Sequence, residues 1–329
     1  MTHSAPDALP DVDDPLVAEA TLEPELDWSV LVPGRRFADV SFVASDAAVD
    51  AYLDATGEHH PAYSRDGDGL VPPLWPTLVR LVKRSLGGRW PSGTLQLDHR
   101  VSSRRALRRG ERLTLATRIG RVEERNARAY FETVSTLHDA EGRVVGEQTS
   151  TSMWAGGSPA ERTTEPAAAA ATPGGHVIGA VEAAPATGAD APAGQATRPA
   201  PAFGPLSASY PIGMLRAFGR VAGALDPIHV DEAFARTTRF GSTIAQGRLV
   251  MTLVSRLMLE RFGRSWLDGG EMAVRFVRPV RAGRGVSAWA AHDPAAPERW
   301  QVWCEDDTGQ TVITGWARPG PPQTAGGPR

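Results

Sequence analysis

The sequence predicts an α+β protein in which one unit is used twice. Three observations lead there: a helix-like apolar stretch followed by a series of strand-like runs occurs in each half, similar turns bearing Gly and Pro precede the two apolar stretches, and a long Ala/Pro/Gly-rich segment separates the halves. At 329 residues and 41% apolar content the chain can build two domains with real cores. A formal charge of −3 implies neither a nucleic-acid field nor a strongly acidic partner. The single cysteine, Cys304, excludes an internal disulfide and a cysteine-based zinc site. The N-terminus is acidic and Pro-rich rather than a signal peptide, and no stretch approaches the roughly 18 apolar residues of a membrane helix. A cytoplasmic location without membrane or nucleic-acid partners is the expectation.

Residues 1–27 carry Asp, Glu, Pro and Ala with no hydrophobic period and are expected to be a disordered acidic tail. Order starts near Trp28. A short strand over 38–43 leads through Ser45-Asp46, a helix cap, into a helix over 47–56 with Val49, Tyr52 and Leu53 on one side and Gly57 as its stop. The turn Glu58-His59-His60-Pro61-Ala62-Tyr63 follows, and the apolar Trp75, Leu78, Leu81 and Val82 predict a second helix that ends at Gly87-Gly88. Alternating and β-branched runs over 94–101, 113–122, 129–138 and 144–153, separated by Gly-bearing turns, predict an antiparallel sheet rather than βαβ units. Residues 156–205 are read as a flexible linker.

The order then repeats over 206–318. A helix over 214–222 leads to Asp226-Pro227-Ile228-His229, a short helix over 231–237 and the most apolar helix of the chain, 249–262, with Leu249, Val250, Leu253, Val254, Leu257 and Met258 on one broad side. Strands over 271–277, 285–292, 300–305 and 311–317 complete the copy, and 319–329 are read as a disordered tail.

One long apolar helix wrapped by an antiparallel sheet resembles the hot-dog fold, and two copies in one chain resemble a double hot dog. The run from Ala222 to His229, followed by Asp231, Phe234, Ala235, Phe240, Ile244, Ala245 and Gly247, resembles the signature of the MaoC-like (R)-specific enoyl-CoA hydratases and dehydratases. The first copy is similar to the degenerate N-terminal half of their double-hot-dog members. The resemblance implies that His229 is the catalytic histidine and that the Gly247 N–H polarises the thioester carbonyl, with Gln246 beside it where the family commonly has His. It implies no resident cofactor, coenzyme A or phosphopantetheine entering as part of an acyl-CoA or acyl-carrier-protein substrate, and it leaves a homodimer open. The family's aspartate lies five positions before the histidine, and Ala224 stands there.

Two readings of Asp226 stay open: it supplies the missing carboxylate, or it caps the turn through its own backbone. In the first copy Tyr63 takes the place of His229, and that half-site is read as structural, widening room for an acyl chain. Adjacent histidines rarely address one ion, so Glu58, His59 and His60 are not read as a metal site. Arginines gather at Arg100, Arg104, Arg105, Arg108, Arg109 and Arg112 and again at Arg275, Arg278, Arg281 and Arg284. A solvated strand edge is the default account; Arg275, Arg278 and Arg281 are the candidates for phosphate or carrier contact. The expected activity is hydration or dehydration of 2-enoyl or (R)-3-hydroxyacyl thioesters. A non-hydrating acyl-thioester binder or partner subunit is one alternative, and a lyase, isomerase or cyclase using the same pocket is the other.

Overall fold

The computed structural model describes residues 24–91, 93–126, 128–154 and 199–321. The acidic tail through residue 23, most of the expected linker and the tail from 322 lie outside the described residues. Within them, the first half contributes β1 (Val40–Val43), α1 (Asp46–Thr56), α2 (Val79–Leu86), β2 (Thr94–Ser103), β3 (Arg112–Arg125), β4 (Arg128–His138) and β5 (Val144–Trp154). The second half contributes β6 (Phe203–Ser209), α3 (Ile212–Ala222), α4 (Pro227–Val230), α5 (Glu232–Thr237), α6 (Gly247–Phe262), α7 (Arg264–Leu267), β7 (Glu271–Phe276), β8 (Gly285–His292), β9 (Trp300–Asp306) and β10 (Thr311–Arg318).

All ten strands join one antiparallel sheet in the order β1-β3-β4-β5-β2-β7-β10-β9-β8-β6. Read outward from the central β2–β7 pair, the two halves have the same strand order, which is the arrangement expected of a duplicated α+β unit. The seam runs from Asp98↔Arg275 to Ser102↔Glu271. Across it Arg275 Nε donates to Asp98 Oδ1 at 2.7 Å, and the buried Glu271 accepts from Arg100 Nε and Arg318, each at 2.7 Å.

Helix α6 packs on β6, β8 and β9, and α2 occupies the matching place on β1 and β3. The predicted apolar side of α6 is buried, and so are Met251, Thr252, Ser255 and Leu259, so the helix is enclosed on most of its circumference rather than on one stripe. The first copy's helix is shorter than its apolar positions suggest. Trp75 to Thr77 form a 3-10 turn containing Pro76, Leu78 is extended at ψ 136°, and α2 begins only at Val79. Pro76 has no N–H to give to a longer helix, and the extended Leu78 separates its turn from α2.

Two boundaries differ from the sequence reading. Leu26 N donates to Arg89 O and Glu25 bridges Arg89, so the last residues assigned to the acidic tail are tied to the first half. Strand β6 starts at Phe203, inside the stretch assigned to the linker. Its Gly204-Pro205 pair lies at a register irregularity on an edge strand, where a sheet tolerates proline, and this composition hides the strand.

Candidate active site

Helix α3 ends at Gly223, whose φ of 71° turns the chain, and Ala224 N bonds back to Gly219 O at 2.9 Å. Pro227 then opens the short α4, with φ already suited to a first helical residue, and His229 N bonds to Asp226 O at 2.8 Å. Arg216 reaches from α3 to the Val230 carbonyl at 3.2 Å, fastening the far side of the turn. The chain returns after α5 with Ile244 N bonded to Ile228 O, Ala245 N bonded to Val280 O, and Gly247 starting α6. The motif histidine and the start of the long helix are thereby held by one backbone network.

His229 Nδ1 lies 2.8 Å from Ile244 O. A carbonyl only accepts, so Nδ1 carries the proton and Nε2 keeps its lone pair. Burial lowers the His229 pKa, opposed by the Asp226 charge and by this hydrogen bond. The net effect favours a neutral imidazole, the form needed of a base. Gly247 is the first residue of a 16-residue helix, so its N–H has no intrahelical acceptor and sits at the positive end of the helix dipole. A Cβ at this position would lie 2.8 Å from Phe276 Cε1, so the β7 aromatic ring packs against residue 247 only because it has no side chain.

Ala224 is 6% exposed, and its side chain leaves nothing to ionise. The neighbouring space is crossed by the buried Gln246, whose Nε2 donates to Leu215 O at 2.9 Å and Ala224 O at 3.3 Å. Both amide protons are committed, which leaves none for a thioester oxygen; Gln246 fastens the start of α6 to the end of α3. Its Oε1 is buried without a partner. Asp226 is exposed at the N-cap of α4; its carboxylate makes no capping hydrogen bond, while its backbone oxygen closes the turn by accepting from His229 N. It remains within electrostatic reach of His229.

The arginine candidates separate. Arg275 is committed to Asp98 at the seam, with a second contact at 3.1 Å, so its fork is not open to a phosphate. Arg278 is exposed and donates to Thr311 O at 3.1 Å. Arg281 is exposed, and its backbone bridges Ile244, beside the carbonyl that holds His229. In the first half, Arg105 pairs with Glu111, Arg109 with Asp50, and Arg104 with Glu147. These pairs make the first cluster part of the fold.

The first copy contains a group the sequence reading passed over. Gly57 ends α1 in the left-handed region as Gly223 ends α3, Glu58 N bonds to Leu53 O as Ala224 N bonds to Gly219 O, and Tyr63 N bonds to His60 O as His229 N bonds to Asp226 O. Glu58 is therefore the counterpart of Ala224, five residues before Tyr63 as Ala224 is five before His229. That spacing was visible in the sequence once Tyr63 had been matched to His229. Glu58 is 2% exposed and its Oε2 has no partner, as is true of the hydroxyls of Tyr52 and Tyr210. Removal from water pushes its pKa up to about 8, with Arg256 opposing. His60, its neighbour in the turn, instead accepts from Ala62 N through Nδ1 at 3.2 Å. By the same bonding pattern Leu70 and Val71 match Ile244 and Ala245, which puts Pro73, a residue without an N–H, opposite Gly247. The two halves thus hold different parts of one constellation: a carboxyl in the first, an imidazole and an open amide in the second.

Residues 208–302 match the MaoC-like domain family. No curated protein matches the chain. Among solved structures, a MaoC-like dehydratase from Phytophthora capsici superposes with a TM-score of 0.67 at 16% identity, over 91% of this chain and 100% of that one. HtdX of Mycobacterium tuberculosis gives 0.59 at 17% identity, over 87% and 100%. The full-length peroxisomal multifunctional enzyme type 2 of Drosophila melanogaster gives 0.63 at 18% identity, over 86% of this chain and 48% of that one. At these identities the superpositions speak for the shared fold. With the duplicated units described above, they show a double hot-dog fold, and the match to the MaoC-like domain family lies in its second half.

Proposed function

We propose that the protein hydrates 2-enoyl thioesters or, in reverse, dehydrates (R)-3-hydroxyacyl thioesters, with His229 as the proton-transfer group and the Gly247 N–H as the donor to the thioester oxygen. The observation that carries this reading is the His229–Ile244 hydrogen bond, which leaves Nε2 of His229 basic and ties α4 to the segment just before α6. In hydration, Nε2 takes a proton from water as its oxygen bonds to the β-carbon. The π electrons move onto the thioester oxygen, where the Gly247 N–H holds the charge. The proton then passes to the α-carbon as the carbonyl re-forms, returning the imidazole to neutrality. Coenzyme A or phosphopantetheine enters as part of the substrate, and no other cofactor is required.

Ala224 leaves the position five before His229 without a carboxylate, so Asp226, whose charge acts on His229, is the one acid of the turn left to assist it. General acid–base groups contribute roughly 10²–10⁴-fold each, so turnover is expected to be slow. The test is loss of the conjugated enoyl-thioester absorbance by purified protein and by His229→Ala. Unchanged turnover in the variant would remove His229 from the mechanism. The emptied acid position also favours a second reading, a thioester-binding protein that does not hydrate. Ala224→Asp separates the two: a large gain from a null background identifies a binder, and a modest change on top of measurable wild-type turnover identifies an enzyme.

A further inference from the structure

Arg248 follows Gly247 directly, yet its side chain leaves the second half and crosses to the sheet of the first. Nε donates to Gln96 Oε1 at 3.3 Å, one terminal nitrogen donates to Ser150 Oγ at 3.0 Å, and the other donates to the carbonyl of Thr77. Every acceptor is neutral, and among the described residues no carboxylate lies within ion-pair distance. Burial alone lowers the Arg248 pKa to about 10. Its place in the first turn of α6 adds a cation to the positive end of the helix dipole. A part-buried guanidinium bonded only to neutral acceptors keeps its charge without a counter-charge.

A second unfilled donor belongs to the same cluster. Because the Gln96 oxygen accepts from Arg248, its amide nitrogen faces His99 Nδ1 at 2.9 Å and donates to it. His99 therefore carries its proton on Nε2. His99 is 1% exposed, and that nitrogen has no partner. Burial and the Arg248 charge hold the ring in its neutral form. A guanidinium without a counter-charge and an imidazole N–H without an acceptor lie in one cluster, and an anionic acceptor would answer both.

We infer that Arg248, with His99 beside it, receives a carboxylate carried on the acyl group, so that the substrate is a monothioester of a dicarboxylic acid. The inference rests on the thioester reading above and names its substrate class. Gly247 offers its amide to the thioester oxygen, and the next side chain runs inward to Thr77 and Ser150, both buried in the first half. On the thioester reading, the acyl group is the part of the substrate that would run inward toward these residues, while the charged phosphates of a carrier favour solvent.

The test is calorimetric binding of a saturated dicarboxylic monothioester of coenzyme A, its monocarboxylic counterpart of equal length, and free coenzyme A. The proteins are the wild type, Arg248→Met and Arg248→Lys, each checked by thermal unfolding. Wild type should prefer the dicarboxylic thioester by roughly 10-fold or more, the scale of one charge-assisted pair. Arg248→Met should erase the preference and Arg248→Lys should keep part of it. Equal binding of the two thioesters by wild type overturns the inference, whether or not the methionine variant folds. A methionine variant that keeps the preference also overturns it, as does one that weakens free coenzyme A as much as the dicarboxylic thioester. Failure of wild type to bind either thioester instead removes the thioester reading itself.

Discussion

Replacing Glu58 with glutamine should abolish much of the pH dependence of stability between mildly acidic and mildly basic conditions. In the folded protein the carboxyl pKa is about 8, against 4.5 for an unburied glutamate. The folded state therefore holds a proton that the unfolded chain releases over this interval, and stability falls as pH rises. The contribution is fully present below pH 4.5 and is lost as the pH passes through about 8. At about 1.4 kcal/mol per pH unit, the interval corresponds to roughly 5 kcal/mol, a large share of the stability of an ordinary domain. Glu58 is 2% exposed, so solvent screening does not reduce the figure much. Denaturant unfolding at a series of pH values from 5 to 8.5 would measure it, the wild type losing several kcal/mol more than Glu58→Gln across the range. Parallel profiles for the two proteins would show that Glu58 is ionised in the folded state, by an approach to Arg256 or by access of water, and would refute the reasoning.

Two other predictions concern the second half. Because burial lowers the His229 pKa below 6.5, hydration should be fully active at neutral pH and should fall on an acid limb with its midpoint below 6.5, measured as kcat/KM against pH; a midpoint above 6.5 would contradict a neutral, desolvated imidazole. Gly247→Ala should cost roughly 10²-fold in kcat, because the added Cβ meets the Phe276 ring at 2.8 Å and displaces either the ring or the amide. Phe276→Leu in the same chain should restore part of the rate, and a Gly247→Ala variant with wild-type turnover would exclude the amide from the site.

The strands were legible almost to the residue, because alternation and Gly-bearing turns have few competing meanings. The long helix was legible too, although its apolar positions suggested one face where the structure buries most of its circumference. Strand β6 was not, since Gly204 and Pro205 read as linker until the sheet shows them on an edge. His229 and Gly247 could be named from the motif, but the commitment of Gln246 to two carbonyls and of Arg275 to Asp98 depends on residues 22 to 177 positions away. Spacing along the chain carries no sign of such partners. Glu58 was missed for another reason: it was weighed with its histidine neighbours as a metal ligand, when the informative comparison was with Ala224 in the other copy.

The central seam makes the two copies neighbours without making them identical. In an assembly of two identical chains around a symmetry axis, a residue changed at one site is changed at both, so an acid could not be kept in one place and removed from its mirror position. A single chain has no such obligation. Glu58 can stand opposite Ala224, Tyr63 opposite His229 and Pro73 opposite Gly247, because each position is encoded once. Joining the halves in one chain therefore lets two related interiors differ residue by residue, one burying a carboxyl and the other holding an imidazole.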